Sequence, residues 1–227
     1  MSALAVLDDI RFRHRGGPFS MSIPHLELAR GEAVACVGPS GCGKTTLLEI
    51  LVGIRRPESG TIVIDGVPLH ALADAATRAW RLRHVGLVFQ DLRLLESLSA
   101  RENILLPYHL DRTLGDLEMA AVRAARLAER MGLAALLDRK PRRLSHGERQ
   151  RVAVCRALVT EPLLMAADEP TGSLDPESAR RAVDLLVESA RAGGQTLFMV
   201  THDHSLLDRF DRVVEMRSLL ASAGATT

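Results

Sequence analysis

Between Gly38 and Thr46 the chain reads GPSGCGKTT, a fit to G-x-x-x-x-G-K-[ST], and the residue types at that spacing suit one chemistry. Gly38, Gly41 and Gly43 let the backbone turn tightly, so that successive N–H groups converge on phosphate oxygens without Cβ atoms in the way. Ser40, Cys42 and Thr46 fill out the same loop. Lys44 supplies a point charge for β- and γ-phosphates, and Thr45 a hydroxyl for Mg²⁺. Cys42 reads as a small residue in a crowded loop, without a redox role.

A second constellation lies downstream, where LLMAADEP ends an apolar run with Asp168 and Glu169. Adjacent strand residues point to opposite sides, so one carboxylate can face a metal while the next approaches an attacking water. Asp168 is then the metal-side acid, and Glu169 polarises or deprotonates the nucleophile. Alone, such a pair reads as a solvated turn before Pro170; the apolar strand and the upstream phosphate loop reverse that reading. His202, closing TLFMVTHD, stands where a parallel sheet presents ligand groups, at the carboxyl end of a strand. Gln90 ends another apolar strand, and its neutral amide can meet Mg²⁺ or water.

The elements that must position these residues follow from periodicity. Residues 4–12 and 21–28 alternate as an antiparallel hairpin with its turn in RHRGGP. EAVACVG is a short doubly buried strand, and KTTLLEILVGI the helix it feeds through the phosphate loop. GTIVIDGVPL and HVGLVFQ read as strands flanking the helix DAATRAWRLR. From Asp91 to Leu158 the β signal is weak, and LEMAAVRAARLAERMGL and HGERQRVAVCRALVT are helical. Alternation then resumes with LLMAADEP, the helix SARRAVDLLVESARA, the strand QTLFMVTHD, the helix HSLLDRF and a last strand DRVVEM, before a frayed ASAGATT. The expected fold is α/β: one domain over 1–227, with a nucleotide-binding core at 1–90 and 159–227 and a helical insertion at 91–158. The stripe Leu92, Leu94, Leu95 and Leu98 is expected to pack the insertion's core.

Composition narrows the classes. With 29 basic and 28 acidic residues among 227, the net charge of +1 gives no reason to expect nucleic acid or an anionic membrane as a partner. Three scattered cysteines provide neither a disulfide framework nor a zinc set and suggest a reducing compartment. The opening MSALAVLDDIRF reads as a strand rather than a signal peptide, and no stretch approaches the roughly 20 apolar residues that span a bilayer. Direct membrane insertion is therefore not expected.

One more stretch carries chemistry. In PRRLSHGERQRVAVCRAL a hydroxyl, Ser145, and a glycine, Gly147, precede a long helix, whose start offers unpaired N–H groups and a positive dipole end to an anion. The segment has no phosphate loop of its own, so its anion must come from elsewhere. The phosphate loop, FQ, LSHGERQR, ADEPTGSLD and VTHD, in this order, resemble the nucleotide-binding subunit of an ATP-binding cassette (ABC) transporter over residues 4–216. LSHGE is similar to that family's signature motif, usually Leu-Ser-Gly-Gly-Gln. The resemblance implies a P-loop NTPase (RecA-like) core with an N-terminal antiparallel β subdomain and an inserted helical signature subdomain. It also implies two copies paired head to tail on two MgATP, the signature Ser145, His146, Gly147 and Glu148 of one capping the γ-phosphate held by the other. Asp175 would cross the interface. Lys44, Thr45, Gln90, Asp168, Glu169 and His202 match the Walker A, Q-loop, Walker B and switch positions.

Three departures from the family pattern stand out. His146 replaces a glycine and Glu148 the glutamine; the imidazole is expected to point away from the phosphates. Where the family stacks adenine on an aromatic residue the alignment places His14, with Phe12 or Phe19 as substitutes, and the sequence leaves the choice open. VGLVFQDLRLLESLSARENILLPYHL and DEPTGSLD are similar to ATPases of lipoprotein release, macrolide export and cell-division signalling. The implied partner is an integral membrane permease, and the implied place the cytoplasmic face of the bacterial inner membrane, held peripherally. An amino-acid importer ATPase or a soluble, non-transport ABC ATPase are the alternatives; a phosphate-loop kinase or GTPase would leave the signature stretch unexplained. Arg78, Arg81, Arg83 and Arg101 form either a docking fringe or a solvated face. Cargo, direction of transport and permease are not written in these residues.

Overall fold

The computed structural model describes residues 2–14, 19–172 and 174–221. The chain opens with β1 (Ala3–Arg13) and β2 (Ser20–Ala29), paired antiparallel with Leu7 opposite Leu26 and Ile10 opposite Ile23. Each of these four side chains is buried, which fixes the register because a one-residue slip would turn the whole apolar set outward. The turn expected in RHRGGP falls on 13–18, largely outside the described residues. β3 (Ala33–Val37), buried at every position, leads through the phosphate loop into α1 (Lys44–Leu51). β4 (Ser59–Ile64) and the two-residue β5 (Val67–Pro68) extend the first sheet to the order β2-β1-β4-β5.

α2 (Asp74–His84) and β6 (Val85–Phe89) come next, and then three helices: α3 (Ala100–Leu110), α4 (Leu117–Arg130) and α5 (His146–Leu158). They bury one shared apolar cluster that includes Ile104, Ala124, Leu133 and Val152. α4 accomplishes this with alanines at 120, 124 and 128, an i, i+4 stripe of small residues that lets its neighbours come close. Of the leucine stripe, Leu92 is buried and Leu94 packs on the helical cluster, whereas Leu95 is 45% exposed. The stripe is therefore not one core face, because the 91–98 segment is a series of turns and not a helix.

The chain returns through β7 (Leu164–Asp168), α6 (Pro176–Gly193), β8 (Thr196–Thr201), β9 (Arg212–Glu215) and α7 (Met216–Ala221). The second sheet is wholly parallel, in the order β6-β7-β8-β3-β9. Its inner strands are buried on both faces, as continuous Val/Ala/Leu runs require. The sequence HSLLDRF forms a 3₁₀ turn, His204–Arg209, rather than an α-helix; with Leu206 as its one buried anchor, the segment is too short to reward a longer helix. The α7 helix was not anticipated from the sequence. Met216 is fully buried, with Leu219 and Leu220 packed on the same core, an i, i+3, i+4 set hidden beside a polar tail.

Helix α5 reaches the parallel sheet at one very close crossing. A Cβ on Gly86 of β6 would lie 2.3 Å from the carbonyl oxygen of Ala157, so only glycine lets the signature helix sit there. Cys36 and Cys155 are buried, and desolvation pushes both thiols up to about 12, which makes them inert packing groups.

Candidate functional site

Sheet register decides which sequence segments meet. Phe89 pairs with Asp168, Asp168 with Val200 and Cys36 with Val200, so Gln90, Glu169, His202 and the phosphate loop all emerge at one end of the parallel sheet. That end is the carboxyl end of the strands, where open α/β sheets bind ligands. A cleft of about 410 Å³ lies there, lined by Ser40, Gly41, Gly43, Lys44, Thr45 and Thr46 on one side and Gln90, Asp168 and Glu169 on the other. His14 and Phe19 close its remaining wall. Gly38, Cys42 and His202 do not line it, although Gly38 and Cys42 belong to the loop and His202 touches it through Glu169. The Cys42 thiol turns toward the apolar core.

Within the cleft the polar side chains satisfy one another. Lys44 is 4% exposed, and its Nζ donates to the carbonyls of Gly38 (2.9 Å) and Pro39 (3.0 Å) while standing 3.3 Å from Glu169 Oε1. The other carboxylate oxygen of Glu169 lies 2.9 Å from His202 Nδ1. A chain of contacts thus runs from the phosphate-loop lysine through the acid to the histidine. Glu169 itself has φ +42°, a left-handed backbone that a glutamate rarely adopts; the turn aims its side chain across the end of β8 and not along β7. Gly43, at φ +101°, opens α1 so that the first N–H groups of the helix point into the loop's concavity.

Beside this chain, Thr45 Oγ1 donates to Asp168 Oδ1 at 2.9 Å. Burial raises the Asp168 pKa above its ordinary value, the Thr45 hydrogen bond opposing that shift. A hydroxyl and a carboxylate held together, with a neutral amide across the cleft, make an all-oxygen donor set suited to a hard cation. Among the described residues no group of three or more His, Cys, Asp or Glu side chains could hold a metal. A Mg²⁺ at Thr45 and Asp168 would therefore complete its shell with phosphate and water oxygens.

The three candidates for stacking adenine are placed differently. Phe12 is 7% exposed and belongs to the core, so it is removed as a stacking candidate. His14 and Phe19 both face the cleft, joined by a hydrogen bond from the His14 N–H to the Phe19 carbonyl at 2.9 Å.

The signature residues are elsewhere. Ser145 N-caps α5 in a reciprocal capping box: its hydroxyl accepts from the Glu148 N–H (3.3 Å), and the Glu148 carboxylate accepts from the Ser145 N–H (2.7 Å). That backbone bond is the main reason the Glu148 carboxyl is held below its usual pKa. Ser145 and Gly147 are exposed, whereas the Nδ1 of His146 is buried without a hydrogen-bond partner among the described residues. None of the four lines the phosphate cleft. His146 and Gly147 instead border a separate cavity of about 500 Å³ with Asp175, which caps α6 by accepting from the Ser178 N–H at 3.0 Å. Ser173 of the GSLD stretch is outside the described residues.

Two further residues matter, and sequence reading assigned them no role. Asn103, fully buried, donates through Nδ2 to the carbonyls of Leu95, Leu98 and Ser99 and accepts from the Leu95 N–H, so it holds the segment after Gln90 in shape. Arg156 of α5 donates to the carbonyls of Leu92 (2.6 Å) and Arg93 (2.7 Å), where both residues have positive φ. The signature helix is thereby pinned to the turn after Gln90. A buried asparagine and an arginine on a helix's inner face were the available signals. Their partners are backbone carbonyls, which a sequence does not display.

Comparison with known proteins finds similarity over most of the chain. The ABC transporter family profile matches residues 22–172. The chain is 41% identical over 222 residues to the lipoprotein-releasing system ATP-binding protein LolD of Pseudomonas fluorescens, covering 96% of this chain and 97% of that one. It is 40% identical over 213 residues to LolD of Paramagnetospirillum magneticum, covering 92% and 93%. A solved dimeric ATP-binding cassette in a post-hydrolysis state, bound to ADP and Pi, superposes with a TM-score of 0.77 at 30% identity, covering 93% of each chain.

Proposed function

This chain belongs to the ABC transporter family and is an ATP-binding, ATP-hydrolysing subunit of such a transporter; on that premise we infer how its residues divide the work. Two copies close head to tail, and each phosphate cleft is completed by Ser145 and Gly147 of the other copy. The observation that carries this reading is the separation within one chain: the signature residues cap a helix start outside the cleft they are expected to serve. Asp175, at the start of α6 beside the same cavity as Gly147, would act across that interface.

On nucleotide entry Lys44 exchanges the Gly38 and Pro39 carbonyls and Glu169 for β- and γ-phosphate oxygens. Glu169, released from the lysine, keeps His202 at its other oxygen and is free to take a proton from water. Thr45 and Asp168, with Gln90 facing them, would hold a Mg²⁺ ion, which would supply neutralisation of phosphate charge. His14 and Phe19 supply the adenine wall.

Similarity to LolD supports a permease partner of the lipoprotein-release type, with this subunit peripheral on the cytoplasmic face of the inner membrane. No helix among the described residues is long and apolar enough to cross a membrane. A groove of about 240 Å³ beside the Gln90 turn, with Phe89, Leu106 and Pro107 in it and Arg81 and Arg93 at its sides, is suited to a cytoplasmic helix of that permease. Arg83 and Arg101 are instead engaged with the Thr113 carbonyl and Asp138.

Mixing two inactive variants tests the shared site. A Glu169→Gln copy retains an intact signature helix, and a Ser145→Arg copy an intact cleft, so their mixed dimer holds one complete site. Phosphate release by the mixture should exceed that of either variant alone. No recovery, with both variants folded and binding ATP, contradicts the shared site.

A further inference from the structure

At the opposite end of the parallel sheet from the nucleotide cleft, where β7 and β8 begin, a cavity of about 450 Å³ separates α4 from the core. Its apolar surface includes Leu127, Met131 and Leu163. Leu127 and Met131 pack against both the core cluster and the helical cluster, so the cavity sits on the joint between the two units. Over this floor stand Arg123, Arg126 and Arg130, spaced i, i+3 and i+7 along one face of α4.

These guanidinium groups are not equivalent. Arg123 is fixed: it donates to the Val159 carbonyl at 3.2 Å and to the Tyr108 hydroxyl, with Glu161 3.9 Å away. Arg126 and Arg130 make no ion pair and no side-chain hydrogen bond among the described residues. Of the four arginines that line the cavity, Arg30 is ion-paired to Asp65 and Arg123 stands by Glu161, which leaves Arg126 and Arg130, one turn apart, without a carboxylate among the described residues. Like charges a turn apart repel, and here the chain supplies too little negative charge to balance them. Both guanidinium groups are exposed and so open to an anion from solution, and the leucine and methionine floor beside them offers a surface to an apolar body behind it.

We propose that this cavity binds a small amphipathic anion from solution, a carboxylate or phosphate on the Arg126–Arg130 pair with a short aliphatic chain against Leu127, Met131 and Leu163. Its occupation ties α4 to the far end of the sheet and so acts on the joint rather than on the cleft. The site is independent of the ATPase reading, because no residue of the nucleotide cleft takes part.

Methyl NMR with labelled methionines tests it directly, since Met131 lines the cavity while Met165 and Met199 are buried in the core. Octanoate should shift the Met131 methyl saturably and leave Met165 and Met199 in place. Inorganic phosphate, the head group alone, and octyl glucoside, the tail with a neutral head, should each bind at least tenfold more weakly. The doubly substituted R126Q/R130Q chain should lose at least tenfold in octanoate affinity, keep its Met165 and Met199 signals, and hydrolyse ATP at the unsubstituted rate. Any of four results overturns the proposal: a Met131 signal unmoved by octanoate, equal binding of octyl glucoside, an unchanged titration of R126Q/R130Q, or a shift seen only with phosphatidylglycerol vesicles.

Discussion

The phosphate cleft and the signature face, proposed to meet one nucleotide from two sides, are prepared in opposite ways. In the cleft, Lys44, Thr45, Asp168 and Glu169, with His202 behind Glu169, are all hydrogen-bonded or ion-paired to one another or to the loop. At the signature face, His146 Nδ1, Gln150 Nε2 and Arg151 Nε are buried with no hydrogen-bond partner among the described residues, and all three residues border the cavity shared with Asp175. Buried polar atoms are seldom left so, because each costs about 1–3 kcal/mol of desolvation. The cleft must break contacts to accept a ligand, whereas the signature face has contacts still to make. An arrangement of this kind favours a second copy over a lone chain, and it gives the lysine and the acid a reason to be released together.

The contrast between the two regions is tested most severely at Glu169. Replacing it by glutamine keeps the size but removes the base and the partner of Lys44, so ATP hydrolysis should fall by about 10² or more, in line with general-base contributions. ATP binding should persist and light scattering should report an ATP-dependent dimer; hydrolysis at the unsubstituted rate would refute the assignment. Next in size is Arg156→Gln, which unpins the signature helix from the Leu92–Arg93 turn. The loss of two charge-assisted bonds to carbonyls should cost about 3 kcal/mol in urea unfolding. An unaltered midpoint would show that the two regions are not mechanically joined there.

Asp168→Asn separates stability from function inside the cleft. Because burial raises the Asp168 pKa, its ionised form is less at home in the fold than in the unfolded chain. Its contribution is fully present below the unfolded value of 3.8 and is lost as pH rises through the higher folded value. At neutral pH the asparagine chain, which can still accept from Thr45, should melt at a higher temperature without nucleotide while losing Mg²⁺-dependent hydrolysis. A lower Tm would contradict the burial argument. The smallest effect is expected at Glu148→Gln: an amide oxygen can still accept from the Ser145 N–H, so the helix start should stay intact. Removing a negative charge near the partner's nucleotide should tighten ATP binding a few-fold; weaker binding would place Glu148 elsewhere than proposed. With the carboxylate present, the lowered Glu148 pKa means its stabilisation holds above the unfolded value of 4.5 and fades as pH falls through the folded one.

Much of this was legible in the sequence because its signals are local. GPSGCGKTT needs a strand before it and a helix after it, and β3 and α1 are in those places. LLMAADEP and TLFMVTHD announce doubly buried strands by their unbroken apolar runs, and a parallel sheet brings the carboxyl-terminal residues of all its strands to one end. Other features were hidden. Met216 was read as the end of the strand DRVVEM, and Leu219 and Leu220 were assigned to no element, because the helix the three form is short; HSLLDRF was read as a helix although it buries only one strong anchor. Leu95 looked like core and is exposed, since the turns around it send neighbouring leucines to different sides.

Residue order alone therefore determined which groups would form a phosphate loop, which acids would end a buried strand and which hydroxyl would cap the signature helix, because each depends on neighbours within a few positions. Only the tertiary structure decided that Lys44 rests on Glu169, that Phe12 is core while Phe19 faces the cleft, and that Arg156 ties α5 to the turn after Gln90. These are contacts between residues tens to more than a hundred positions apart, or with backbone carbonyls that every residue type carries alike. Strand register and the closeness of packing choose among them.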